Sequence, residues 1–145
     1  NYYKKGNDYF EKALEIIAEK YGDKVEIITT RNIPYQEYIE IYNRAHILLD
    51  MVYSFDQGFH ALEAMAKGKV VFTGAETEFY EYYQLNEKVN INAKPDVAYL
   101  VEQLSNLIDN PKEIISISQN AHVFVEKHHH YIQVAEKYLS TWHKN

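Results

Sequence analysis

Gly58-Phe59-His60-Ala61-Leu62-Glu63-Ala64-Met65-Ala66-Lys67-Gly68-Lys69-Val70-Val71-Phe72-Thr73-Gly74 reads as loop, short helix, tight turn and buried strand. Ala61 to Ala66 is small enough for close packing, Gly68 offers a helix stop, and Lys69 to Thr73 is a β-rich apolar run. A helix that opens on a glycine presents unpaired N–H groups, and such groups attract anions, above all phosphates. Whatever precedes and follows this stretch should therefore build a sheet around it.

On both sides helix and strand signals alternate. Phe10, Ala13, Leu14, Ile17, Ala18 and Tyr21 recur at helical spacing, with Asp8 and Glu11 as a reciprocal cap and Gly22 as a stop. Val25 to Thr30 reads as a strand, Tyr38, Ile41, Tyr42 and Ala45 as a second helix, and Ile47-Leu48-Leu49 as a short strand closing on Asp50. Beyond Thr73, Glu78 to Tyr83 suggests a tyrosine-rich helix and Val89 to Asn92 a weak last strand. Asp96 caps an amphipathic helix through Leu100, Leu104 and Leu107, and Asn110-Pro111-x-Glu113 opens another that breaks near His128-His129-His130. Ile132, Ala135, Leu139 and Trp142 line a final helix.

This alternation predicts an α/β fold, a doubly wound parallel sheet with helices on both faces. Continuous apolar strands belong to such sheets, whose ligands sit beyond the carboxyl ends of the strands. Asp50, Gly58 and Thr73 are expected on that rim.

The 145 residues suffice for one domain with a real core, and neither a linker nor a repeat divides them. A formal charge of -6 argues against a nucleic-acid partner, which would need phosphate-neutralising Lys and Arg in number. Without cysteine, disulfides and thiolate metal sites are excluded. No window approaches the roughly 18 apolar residues of a membrane span, and Asn1-Tyr2-Tyr3-Lys4-Lys5 has no signal-peptide core. Neither a nucleophile elbow, a phosphate loop nor a dinucleotide fingerprint occurs. Three consecutive histidines on a helix point in different directions, so His128 to His130 reads as a helix junction rather than a metal site.

Gly58 followed by Glu63-Ala64-Met65-Ala66-x-Gly68-Lys69-Val70-Val71 resembles the sugar-nucleotide site of retaining GT-B glycosyltransferases of the glycogen synthase and mannosyltransferase group, the family 4 or group 1 type. Lys5-Gly6 looks like that family's KG dipeptide, which follows the first strand of its C-terminal, donor-binding domain. The resemblance spans Lys5 to Tyr138 and implies a Rossmann-like half of a GT-B fold in residues 1–145. The chain would then be a fragment lacking its first strand and the N-terminal acceptor domain. The implied parent is a hexosyltransferase-type enzyme of glycan biosynthesis, using a nucleoside diphosphate sugar and a glycan or lipid acceptor. It would need no cofactor and no metal, and would be cytoplasmic or peripheral to the membrane. The isolated domain should bind nucleotide weakly and transfer nothing.

Residue by residue, the resemblance makes Glu63 the ligand of the donor ribose, where periodicity alone would leave a solvated carboxylate. Gly58 and the N–H groups of Phe59 and His60 would face the diphosphate, although Gly58 also reads as a plain turn glycine. Lys5 would pair with a phosphate oxygen. Ile33, in the loop Arg31 to Tyr35, would pack against the nucleobase, or the loop is simply a strand-to-helix connection. Asp50 reads equally as a rim ligand, a helix cap or a buried acceptor.

Two departures stand out. The family carries a second carboxylate eight positions before the helix one; here that position is Phe55, with Asp56 beside it as the candidate catalytic acid. Only one strand lies between the first helix and His46 to Asp50, where the family commonly has two, as though one βα unit were missing. The alternative function is therefore a non-catalytic α/β interaction module whose active site has decayed. A receiver-like phosphate domain would expect clustered acids at the strand ends, and only Asp50 qualifies.

Overall fold

A computed structural model describes residues 2–143. Three strands, β1 (Ile47–Leu49), β2 (Val70–Thr73) and β3 (Ile91–Asn92), form a parallel sheet in the order β1-β2-β3. Ile47 lies opposite Val70, Leu49 opposite Phe72, and Phe72 opposite Ile91. The helices are α1 (Tyr2–Lys5), α2 (Asn7–Tyr21), α3 (Tyr35–Arg44), α4 (Phe59–Ala66), α5 (Thr77–Tyr83), α6 (Val97–Asp109), α7 (Pro111–His129) and α8 (Tyr131–Trp142).

Every residue of β2 is buried, and strand alternation sends its side chains to two cores. Val70 and Phe72 pack with Phe10, Ile17, Leu100, Leu104 and Leu107 of α2 and α6. Val71 faces the other way, onto Ala61, Ala64 and Met65 of α4 and onto Tyr42, Phe79 and Phe124. The sheet is thus covered on both faces, the α/β architecture that the alternation of signals predicts. Ala61, Ala64 and Met65 are fully enclosed, so the small residues of α4 let it lie close to the strand that follows it.

Lys69 is a buried cation at the entrance to β2. Its ammonium donates to the carbonyls of Ala45 at 2.7 Å and Asn43 at 3.2 Å, where α3 ends, and lies 5.2 Å from the centre of the Tyr42 ring. A lysine there satisfies carbonyls that the helix leaves open. Burial, with Lys67 adding to it, lowers its pKa.

The structure differs from the sequence expectations at several places. Val25 to Thr30 is not a strand: no described strand pairs with it, and Ile27 and Ile28 are exposed. A β-rich run becomes a strand only when another strand lies beside it; with none beside it among the described residues, its exposed backbone is left to water. The last strand is reduced to Ile91–Asn92. At the start of α2 the cap is Gly6 in a left-handed conformation with no side-chain cap bond, rather than the Asp8 and Glu11 pair. Asp96 does cap α6, accepting from the Tyr99 N–H at 3.1 Å. Asn110 does not cap α7 with its side chain.

Candidate functional site

Asp50 follows β1 and extends the ladder by one bond, its N–H donating to the Phe72 carbonyl at 2.9 Å. That register places its side chain at the carboxyl end of the sheet, where the carboxylate is almost wholly buried. Three groups surround it: the Lys5 ammonium at 3.0 Å, the Thr73 hydroxyl donating at 3.3 Å, and His60 Nδ1 at 3.6 Å. Burial pushes the Asp50 carboxyl up, but His60 and Lys5 outweigh it and hold the group below the usual carboxylate range. Lys5 and His60 are each about two-fifths exposed. They form the solvent side of a site whose floor is an anion.

Lys5 reaches Asp50 because of the residue after it. Gly6 has φ +72°, and a Cβ there would lie 2.6 Å from Val52 Cβ. Both the left-handed turn and the close approach require glycine. The chain is then pinned by the Val52 N–H, which donates to the Lys5 carbonyl at 2.8 Å.

His60 and Glu63 on α4 and Lys67 at its C-terminal cap recur at intervals that put them along one face. Glu63 is two-fifths exposed and pairs with Lys67 at 3.3 Å, so its carboxylate is open to solvent, as periodicity alone would leave it. The face looks onto α3. The Tyr38 hydroxyl lies 2.5 Å from His60 Nε2, the Tyr42 ring stacks on the His60 ring at 5.5 Å between centres, and Lys67 lies 4.8 Å from the Tyr42 ring centre. Burial first, and then the charge of Glu63, raise the pKa of both tyrosines. The Tyr42 hydroxyl is buried with no hydrogen-bond partner. At the head of α4, Gly58 is extended, no side-chain cap closes the turn, and a Cβ at position 58 would meet nothing within 4 Å.

Residues 5–140 match the glycosyl transferase-like family. The chain belongs to that family. No curated protein and no solved structure matches it. The match encloses the whole Asp50 surround, from Lys5 on α1 to Thr73 on β2, so this glycosyl transferase-like domain carries its polar centre within the family's own limits. Its chemistry is that of glycosyl transfer.

Of the residues that the sequence singles out in this glycosyl transferase-like chain, Lys5, His60 and Asp50 come together, with Glu63 one helical turn further and Gly58 at the helix entry. Asp56 stands apart from them. Its carboxylate accepts from the Gln57 N–H at 2.7 Å, and its charge acts on Tyr83 and His129. Phe55 and Phe59 are largely exposed, and Ile33 is half-buried in the loop leading to α3. The sequence places Thr73 on the rim with Asp50 but gives Tyr38 and Tyr42 no part in the site. Thr73 was legible as the end of a strand beside Asp50, but nothing local marks a tyrosine that meets a histidine 22 positions away.

Proposed function

We propose that this domain binds the nucleoside diphosphate sugar of a retaining GT-B glycosyltransferase. The observation that carries this reading is the gathering of two half-exposed basic groups, Lys5 and His60, over buried Asp50 beside an α4 entry without a side-chain cap. A diphosphate suits such a place, because ammonium groups and helix N-termini both favour an anion. In this reading Lys5 pairs with a phosphate oxygen, Gly58 and the N–H groups of Phe59 and His60 cradle the diphosphate, Glu63 takes the ribose hydroxyls, and Ile33 lies against the base. The leaving diphosphate is neutralised by the same groups, without calling for a metal. Asp56, turned toward Gln57, would act on the transferred sugar only after the loop moved.

The outer edge of β1 and the run from Val25, neither of which pairs with a further described strand, support a further part of the reading. A strand from residues preceding this chain would lie between them, and an acceptor-binding domain would precede it. No described helix is long and apolar enough to cross a membrane; a cytoplasmic or membrane-peripheral enzyme of glycan assembly is the setting we infer.

Calorimetric titration of the chain with uridine, guanosine and adenosine diphosphates tests the proposal. One of them should bind saturably, and Glu63→Ala should weaken that binding about tenfold, the scale of a hydrogen bond to a charged group. The second reading, a non-catalytic interaction module, is favoured by Phe55, which stands exposed where the family has an acid. Saturation by none of the nucleotides, including in a version extended upstream, would support it instead.

A further inference from the structure

His60 is the middle of a polar chain that runs outward from the sheet. Nδ1 faces the buried Asp50 carboxylate at 3.6 Å, and Nε2 lies 2.5 Å from the Tyr38 hydroxyl. The ring is held between these two partners with Tyr42 stacked on it at an interplanar angle of 26°. A carboxylate accepts only, so Asp50 favours the tautomer with the proton on Nδ1. Nε2 then has two states with opposite consequences for Tyr38. In the neutral ring Nε2 accepts, the Tyr38 O–H points inward, and only oxygen lone pairs face out. In the imidazolium Nε2–H donates to the Tyr38 oxygen, and the hydroxyl proton is freed to point outward.

Tyr38 is kept in its hydroxyl form, since burial, Glu63 and Asp50 all raise its pKa. The charged and titratable groups around the His60 ring come from every neighbouring element: Lys5 on α1, Asp50 after β1, Tyr38 and Tyr42 on α3, Glu63 on α4 and Lys67 at its C-terminal cap. Lys5 offsets Asp50, and Lys67 offsets Glu63. With a neutral ring the site therefore sums to zero, and with an imidazolium it carries one positive charge.

We propose that the Asp50, His60 and Tyr38 chain is a proton-coupled anion seat: a diphosphate takes up a proton at His60 as it binds, and Tyr38 turns from acceptor to donor toward it. This rests on the nucleotide-sugar reading and extends it. Asp50 is a positioning residue in the scheme, and Tyr38 a direct ligand. The proton comes from solvent and returns when the nucleotide leaves.

The test is calorimetry with uridine, guanosine and adenosine diphosphate sugars, whose diester phosphates do not titrate where imidazole does, between about pH 5 and 8. Titrations are run in two buffers of different protonation enthalpy. Wild-type protein should take up a proton fraction approaching one, and its affinity should fall by up to about tenfold per pH unit on the alkaline side. His60→Gln should bind with no proton uptake and a flat pH profile. Tyr38→Phe should lose about tenfold in affinity at every pH where binding is still accompanied by proton uptake. Binding with no uptake in the wild type, or uptake unchanged in His60→Gln, would overturn the seat and leave the nucleotide reading intact. Failure of every nucleotide sugar to bind would remove both.

Discussion

One methyl group added at position 74 would place a carbon 2.0 Å from the Ser54 carbonyl oxygen. The loop after β2 and the loop after β1 touch here through backbone, and the Gln57 side chain donates to the Gly74 carbonyl at 3.0 Å. Neither backbone can yield without moving Asp50 or the entry to α4, so Gly74→Ala should cost ~3 kcal/mol or more. Urea unfolding would show this as a lowered midpoint with an unchanged slope. Single positions such as this were hard to read in advance. Nothing in the residues around Gly74 signals that Ser54 lies against it. Asp50 and Glu63 could be named from the sequence, but the half-exposed setting of Glu63 and the enclosure of Asp50 depend on residues far along the chain. Chemical type is local information, whereas burial is not.

The junction between α7 and α8 is an element-level feature with its own titration. His130 has extended backbone between the two helices, so the three-histidine run marks the break that its sequence implied. His128 and His129 pack against Tyr83 and Phe124 at ring separations of 4.9 to 5.7 Å, and His128 Nε2 is buried without a partner. Burial lowers the pKa of both imidazoles; around His128 the charges of Lys127, His129 and Lys137 lower it further, while near His129 Asp56 opposes the shift. A base that protonates less readily when folded contributes stability that is complete above its unfolded value, about 6.5, and is lost as pH falls below it. Unfolding midpoints should accordingly drop between pH 7 and pH 5, and the paired change His128→Gln with His129→Gln should flatten that slope. The helices were legible because their apolar spacing is self-contained. Val25 to Thr30 misled because β propensity describes what a segment can pair with, not whether the partner is there.

Across the whole molecule, β2 is the common wall of two apolar clusters, and protection should follow distance from it. Backbone amides of Val71 and Phe72 should exchange with solvent at the slowest, global rate, while those of residues 26–30 should exchange within seconds by mass spectrometry. Equal protection of the two would mean that the run from Val25 has found a partner, such as the β1 edge of a second copy. The architecture itself was readable because one stretch, Gly58 to Gly74, contains a crossover helix and the strand it feeds. Its family membership rests on a match that runs over residues 5–140.

Lys5 belongs to a single helical turn, yet its ammonium is the nearest counter-ion of a carboxylate sealed inside the protein. Cutting the Lys5–Gly6 bond would leave that carboxylate facing His60 and Thr73 alone, a buried anion short of the ammonium beside it. Loss of a few residues at this end would therefore register as a weakened core and an altered acid titration, before any question of substrate arose.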